Sequence, residues 1–301
     1  MRLALTGGTG FIGSHLVDVA IAAGHDLTAL TRRDQPNRDG IEWISGDLHD
    51  RAALEQLVSH ADAVIHVAGV ITASTAATFE KGNVDGTLAM LAAATAAGIH
   101  RFVHLSSLAA REPNLSLYGA SKARAEELVH SSGLDWAIVR PPAVYGPGDK
   151  ETLELFRMAK LGVMLMPPKG RISVIHVDDL CRLLLTLTER DAPTGVLIEP
   201  DDGKPDGWTH REFAAALGEA VGTKPAILSS PGILLRLAAR ADQLFRRERA
   251  KLTVDRAAYF SHRNWVVEPK RAPPQQLWHP SIPTSEGLRQ TADWYRAEGW
   301  L

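Results

Sequence analysis

Residues Thr6-Gly7-Gly8-Thr9-Gly10-Phe11-Ile12-Gly13 decide the fold. They follow a short apolar run, Arg2–Thr6, and precede a segment with helical spacing. Gly7, Gly10 and Gly13 lie three apart. A pyrophosphate group needs backbone N–H groups and a helix N-terminus facing it, and side chains there would hold it off. The third glycine lets the helix pack closely on the strand. A glycine triplet is weak evidence in isolation. Placed at residue 7, after the first strand of a repeating strand–helix pattern, it reads as a dinucleotide-binding turn.

Further short apolar runs follow: Asp26–Arg32, Ile41–Ser45, Ala63–Ala68, Arg101–Ser106, Trp136–Arg140 and Ser173–Val177. Their apolar residues are not cleanly interleaved with polar ones, as expected of strands buried on both faces. Between them, Thr87–Ala97 and Lys122–His130 show helical spacing. This rhythm predicts an α/β fold, a Rossmann-type doubly wound parallel sheet wrapped by helices. After about Pro147 the chain becomes richer in Pro and Gly, and Trp265, Trp278, Trp294 and Trp300 cluster near its end. That texture predicts a smaller, mostly helical C-terminal substrate lobe with the tryptophans in its core. Residues 172–190 read as a return to the sheet. The expected division is 1–146 plus 172–190 for the nucleotide-binding domain, and 147–171 plus 191–301 for the lobe.

The chain has 301 residues and a formal net charge of −2, with 45% hydrophobic and 23% charged residues. This composition excludes a disordered polar chain and argues against a nucleic-acid-binding protein. No apolar stretch is long enough for an integral membrane segment, and the opening Met1–Gly8 does not read as a secretory signal. The single cysteine, Cys181, fits a reducing, cytoplasmic compartment. No cluster of His, Cys, Asp or Glu suggests a metal.

The second strand ends in Arg32-Arg33, where an NAD-preferring site usually carries an acidic residue for the ribose hydroxyls. Two guanidinium groups suit a 2′-phosphate, which favours NADP(H). Asp34 follows closely and keeps NAD(H) as an alternative. Tyr118 and Lys122 lie four apart and would share a helix face. An ammonium nearby stabilises a phenolate, so Tyr118 can exchange a proton with a carbonyl or alcohol oxygen. The fifth strand ends in Ser106-Ser107, at the sheet edge where ligands bind.

With these residues the chain resembles the extended short-chain dehydrogenase/reductases, the NAD-dependent epimerase/dehydratase family. The resemblance runs through Thr6–Gly13, Gly46-Asp47-Leu48, His66-Val67-Ala68-Gly69, Asn83-Val84-Asp85-Gly86-Thr87, Ser106-Ser107, Tyr118 with Lys122, Arg140–Gly148 and His176–Leu180. It implies that Gly7, Thr9, Gly10, Phe11, Ile12 and Gly13 border the cofactor and that Asp47 and Leu48 contact its adenine. It places Ala68 and Gly69 beside a ribose and the phosphates, Asn83 near the cofactor, and Pro141 to Val144 beside the nicotinamide. Ser107 would be the catalytic serine, with Ser106 second choice; Tyr118 the acid/base; Lys122 its partner and a ribose ligand. His176-Val177-Asp178-Asp179 would be a structural turn.

Only ten residues separate Ser107 from Tyr118, fewer than in sugar-nucleotide epimerases, and the C-terminal stretches around Trp265 and Trp294 are similar to the hydroxysteroid dehydrogenase and dihydroflavonol reductase branch. The expected function is therefore NADP(H)-dependent interconversion of an alcohol and a carbonyl on a fairly apolar small molecule. The alternatives are a nucleotide-sugar epimerase or dehydratase with retained NAD, and a non-catalytic NADP-binding regulatory or assembly protein. Residues 233–245 are amphipathic and run into Arg246, Arg247, Arg249 and Lys251, which reads as a plain lobe helix, a lid or a membrane-surface helix. The resemblance also implies a homodimer through the fourth and fifth helices.

Overall fold

The computed structural model describes residues 1–167, 169–229 and 262–301; the amphipathic 233–251 stretch lies outside them. In chain order the strands are β1 (Arg2–Thr6), β2 (Asp26–Thr31), β3 (Ile41–Ser45), β4 (Ala63–His66), β5 (Arg101–Leu105), β6 (Asp135–Val139) and β7 (Ala143–Tyr145). They continue as β8 (Val163–Met166), β9 (Arg171–Ile172), β10 (Val174–His176), β11 (Val196–Ile198), β12 (Trp208–Thr209), β13 (Ala226–Ser229) and β14 (Asn264–Trp265). The helices are α1 (Phe11–Ala22), α2 (Arg51–Val58), α3 (Ala76–Phe79), α4 (Gly86–Ala96), α5 (Leu117–His130), α6 (Leu153–Lys160), α7 (Val177–Thr186) and α8 (His210–Val221), followed by a C-terminal helix, Thr284–Ala297.

Two compact units emerge. The first comprises residues 1–141, 180–200 and 271–278. Its sheet runs β11-β6-β5-β4-β1-β2-β3 with every pair parallel. Leu3, Ala4 and Leu5 in β1 and Ala63, Val64 and Ile65 in β4 are fully buried, as strands covered on both faces must be. The chain runs outward from β1 to β3, then returns to β4 on the other side of β1. The carboxyl ends of β1 and β4 therefore mark the switch point where connecting loops part, which is where open α/β sheets bind ligands.

The glycines set how closely α1 approaches β1. Gly7 adopts φ +80°, and its carbonyl accepts the Gly10 amide at 3.0 Å. A Cβ on Gly13 would lie 2.0 Å from the Gly7 oxygen, and one on Gly7 would lie 2.7 Å from the Ala68 nitrogen. Helix α5 is unusual in a different way. Ser116 caps it by accepting the Gly119 amide at 2.9 Å, and its inward stripe is Gly119, Ser121, Lys122, Ala125, Glu126 and Val129. Three polar side chains on a buried stripe would cost stability in a purely structural helix.

The second unit comprises residues 142–179, 201–270 and 279–301. Tyr145, Phe156, Met164, Phe213, Leu217, Leu288 and Tyr295 form its core. Thr209 and Glu212 make a reciprocal capping box on α8, and Gly222 ends that helix at φ +82°. Asp178 and Asp179 sit in the first turn of α7, and Asp179 accepts the Ser281 and Ile282 amides at 3.1 Å each. The His176–Asp179 element is thus a structural turn.

Three expectations need correction. The strand read at Ser173–Val177 does not rejoin the main sheet: β10 pairs with β7 in a separate two-stranded sheet. The main sheet instead gains β11, three residues long and too short for periodicity to reveal. The two compact units divide at 141/142, 179/180, 200/201, 270/271 and 278/279. The second unit is also less helical than its composition suggested, because β8 pairs with β13 and β9 with both β12 and β14. Trp265 and Trp278 are each 7% exposed, but Trp278 belongs to the first unit, not to the lobe core.

The fold makes a sharp demand at one position. Gly13→Ala places a methyl group against backbone, which cannot rotate away. We expect it to lower the unfolding free energy by about 1–3 kcal/mol, read from denaturant midpoints. An unchanged midpoint would refute the close-approach account.

Candidate active site

The N-terminus of α1 begins at Gly10, which offers no side-chain cap. Its first amides and positive dipole end are left for an anion. With the side-chain-free surface at Gly7 and Gly10, this cradle fits the pyrophosphate of a dinucleotide. Thr9 and Gly10 are exposed, and Phe11 and Ile12 are half-buried. The cradle needs a fixed floor, and a hydrogen-bonded chain supplies it. The Ala68 amide donates to Thr6 Oγ1 at 3.2 Å, Thr6 Oγ1 meets His66 Nδ1 at 2.7 Å, and His66 Nε2 meets Thr87 Oγ1 at 3.1 Å. Thr87 donates its only hydroxyl hydrogen to the Asn83 carbonyl at 2.6 Å. His66 must therefore carry its proton on Nε2 and accept from Thr6 at Nδ1. Burial pushes the His66 imidazolium down to about 3, assisted by the nearby Lys122 charge, so the ring is neutral. His104, stacked on it at 5.5 Å, is likewise held neutral by burial.

Asn83 ties the loop after β4 to α5. Its Oδ1 accepts the Val70 amide at 2.6 Å, and its Nδ2 donates to the Val70 carbonyl at 3.0 Å and to Ser121 Oγ at 2.8 Å. Ser121 in turn donates to the Tyr118 carbonyl at 2.8 Å. Lys122 Nζ donates to the Leu105 carbonyl at 2.8 Å, at the end of β5. A Cβ on Gly69 would lie 3.1 Å from Asn83 Oδ1 and 3.2 Å from Lys122 Nζ. Gly69, Asn83 and Lys122 thus share one spot at the sheet edge. Lys122 is 4% exposed, and burial pushes its ammonium down to about 8, opposed by Glu126 one turn away.

Backbone packing brings the turn after Ser107 against the start of α5, the helix that carries Tyr118. A short 3₁₀ turn, Leu108–Arg111, follows Ser107, whose Oγ accepts the Ala109 amide at 3.2 Å. The missing side chain at Gly119 lets α5 lie on the Ala109 carbonyl, 2.6 Å from where a Cβ would be. The Pro141 carbonyl accepts the Leu108 amide at 2.9 Å and pins the same turn to the end of β6. Tyr118 and Ser107 are both half-buried. Ser107 uses its oxygen in the Ala109 bond and keeps its hydroxyl hydrogen for another acceptor. Ser106 is placed differently: it is 3% exposed and donates to Glu126.

Behind this edge lies a buried ionic cluster. Arg140 forks onto both Glu126 oxygens at 2.8 and 2.6 Å. Glu199, fully buried, lies 3.5 Å from Arg140, 3.8 Å from Arg271 and 3.9 Å from Arg111. The remaining expected residues scatter. Arg32 and Arg33 are exposed just past β2, in a turn shaped by Thr31, whose hydroxyl donates to the Arg33 carbonyl at 2.7 Å. Asp47 is exposed and accepts the His49 amide at 2.8 Å, while Leu48 packs under Gly86 at the start of α4. Val144 lies in β7 of the second unit. Sequence reasoning gave no role to Thr6, His66, Thr87, Ser121 or Glu126. Glu126 carried a signal, since it follows Lys122 by four residues and must share its helix face. No cluster of three His, Cys, Asp or Glu residues among the described residues could hold a metal.

Comparison with known proteins identifies the family and the fold. The sequence profile of the NAD dependent epimerase/dehydratase family matches residues 3–198. The chain is 39% identical over 308 aligned residues to a ceramide reductase of Caulobacter vibrioides, spanning 99% of this chain and 96% of that one. It is 32% identical over 266 residues to a 4-hydroxy-2-methyl-3-oxo-4-farnesyl-3,4-dihydroquinoline-1-oxide ketoreductase of Stigmatella aurantiaca, spanning 79% of each. The solved UDP-glucose 4-epimerase of Thermotoga maritima with UDP-glucose shares the fold, with a TM-score of 0.74 at 20% identity over 99% of both chains.

The buried Lys122 gives the protein a pH signature. In the unfolded chain its amine titrates near 10.5, against about 8 in the fold. Between those values the unfolded state binds more protons, so this group makes stability rise with pH across that window. Lys122→Met removes the charge. We expect the stability difference between the wild type and Lys122→Met, measured without cofactor, to shift in favour of the wild type from pH 8 to 10.5. A pH-independent difference would show that Lys122 titrates normally.

Proposed function

The chain belongs to the NAD dependent epimerase/dehydratase family and is an NAD(P)-dependent oxidoreductase of the extended short-chain dehydrogenase/reductase type, and we propose that it reduces the ketone of a long-chain, lipid-like molecule with NADPH. The observation that carries this reading is the first half of α5. It sets Tyr118 half-buried at its start, buries Lys122 one turn later, and lies on the turn that follows Ser107. Tyr118 gives its phenolic proton to the ketone oxygen. Ser107 donates its free hydroxyl hydrogen to the same oxygen and orients it. Lys122 stabilises the phenolate that remains, and its place beside Gly69 and Asn83 lets it hold the nicotinamide ribose. NADPH, when bound, supplies the hydride that the carbonyl carbon accepts.

The substrate class draws support from two sides. Only ten residues separate Ser107 from Tyr118, where sugar-nucleotide epimerases carry a longer loop, and this favours an apolar substrate over a nucleotide sugar. The two relatives are named for ceramide and for a farnesylated 3-oxo compound; each name pairs a reductase with a molecule that carries a long hydrocarbon part. The preference for NADPH rests on Arg32 and Arg33, exposed where the 2′-phosphate of a dinucleotide on the α1 cradle would reach them.

Two experiments test the reading. With a long-chain ketone dispersed in detergent, Tyr118→Phe should cut NADPH-dependent turnover by about 10²–10⁴-fold while NADPH binding survives; unimpaired turnover would remove Tyr118 from the chemistry. Calorimetric titration of cofactor-stripped protein should show tighter binding of NADPH than NADH, with the preference lost in Arg32→Ala/Arg33→Ala. Equal binding of both by the wild type would overturn the 2′-phosphate assignment.

A further inference from the structure

The two-stranded sheet of the second unit has an outer face that its own core does not need. Strands β8 and β13 pair in parallel, Val163 beside Ala226 and Leu165 beside Leu228. The alternation is strict: Met164 and Met166 point inward, 0% and 6% exposed, while Val163 and Leu165 are 45% and 54% exposed. Leu228 is 51% exposed, and Leu161, just before β8, is 82% exposed. Three large aliphatic side chains, Val163, Leu165 and Leu228, therefore stand on one small surface, with Leu161 exposed in the turn that enters it, where an ordinary surface strand would alternate with polar residues.

The rim of that surface is cationic. Lys160 precedes β8 and Lys224 precedes β13, and because the strands are parallel the two lysines share one end. Lys169 follows β8 at the other end. Segments 160–169 and 222–229 contain these three lysines and no aspartate or glutamate, in a chain of net charge −2. None of the three is in an ion pair among the described residues. Aliphatic side chains ringed by lysines suit a lipid–water interface, where the stems lie along the apolar layer and the ammonium groups reach phosphates. A protein partner fits less well. Protein interfaces are enriched in aromatics and depleted in lysine, and this face carries no aromatic residue. A second copy would bring lysine rims together.

We propose that the outer face of the β8–β13 sheet docks the protein on an anionic lipid bilayer. The purpose of the docking, collecting a substrate that partitions into lipid, rests on the long-chain ketone reading above; the surface itself does not. Each lysine should contribute about fivefold to partitioning onto anionic vesicles, and each outward leucine a comparable or larger factor.

Flotation of the full chain with vesicles, without substrate or cofactor, tests this. The wild type should float with phosphatidylglycerol–phosphatidylcholine vesicles and far less with phosphatidylcholine alone. Leu161→Ser/Leu165→Ser should lower the partition coefficient at least tenfold with an unchanged melting temperature, because both side chains are exposed. Lys160→Gln/Lys224→Gln should lower binding to the anionic vesicles by about twenty-five-fold and leave the weak binding to phosphatidylcholine alone. Absence of flotation, or equal flotation by the leucine variant, overturns the proposal. So does self-association of the wild type that the leucine variant abolishes without any vesicle binding. Docking by a protein inert toward long-chain ketones would overturn the proposed function and leave the docking standing; reduction of a micelle-dispersed ketone without flotation would do the reverse.

Discussion

The Gly7 carbonyl oxygen occupies the space that a side chain at residue 13 would need. That contact sets the distance between β1 and α1. It also aims the open end of α1 at the crevice between β1 and β4. The same residue's positive φ brings its Cα face against Ala68, so three backbone segments meet with no side chain between them. Later elements inherit this geometry: β4 ends where Thr6 and His66 can clasp, and α4 starts where Thr87 can close the hydrogen-bonded chain.

Helix α5 works against the usual logic of a buried face. Its inward stripe holds Ser121, Lys122 and Glu126. Glu126 is matched by the Arg140 fork, and such a buried pair adds little net stability over apolar residues of similar size. Among the described residues Lys122 has no carboxylate in direct contact; the Leu105 carbonyl holds it. The apolar sheet behind, with Leu3, Leu5, Val64, Phe102 and Val103 fully buried, supplies the stability that lets α5 carry polar groups inward. The proposed chemistry at Tyr118 gives that buried charge a use.

Much of this was legible in the sequence. The glycine turn announces itself because only glycine satisfies the contacts at residues 7 and 13. Six strands of the main sheet are readable as apolar runs, most strongly β1, β4 and β5, which are buried on both faces. Tyr118 and Lys122 declare a shared face by spacing alone. The rest depends on tertiary partners. Strand β11 is three residues long, and nothing local separates it from the loops around it. Val163-Met164-Leu165-Met166 is apolar throughout, so the sequence cannot say which side faces solvent. His66 lies within a quoted motif, yet its role needs Thr6, 60 residues away in sequence, and Thr87. Ser106 and Ser107 look alike in sequence, but Glu126 takes the first hydroxyl and not the second.

The contrast between Lys122, buried, and Arg32 with Arg33, exposed, divides the protein's electrostatics into two compartments. Dissolved ions screen exposed charges over about 8 Å at physiological ionic strength, but reach buried ones poorly. On the proposed reading, capture of a doubly charged phosphate by the surface arginines would be tuned by the surrounding electrolyte. Proton transfer at the far end of the same cofactor, supported by a lysine held against a carbonyl, would be insulated from it. A change of ionic strength would then act on how full the enzyme is, through the cofactor's KM, and leave the rate of the filled enzyme almost untouched.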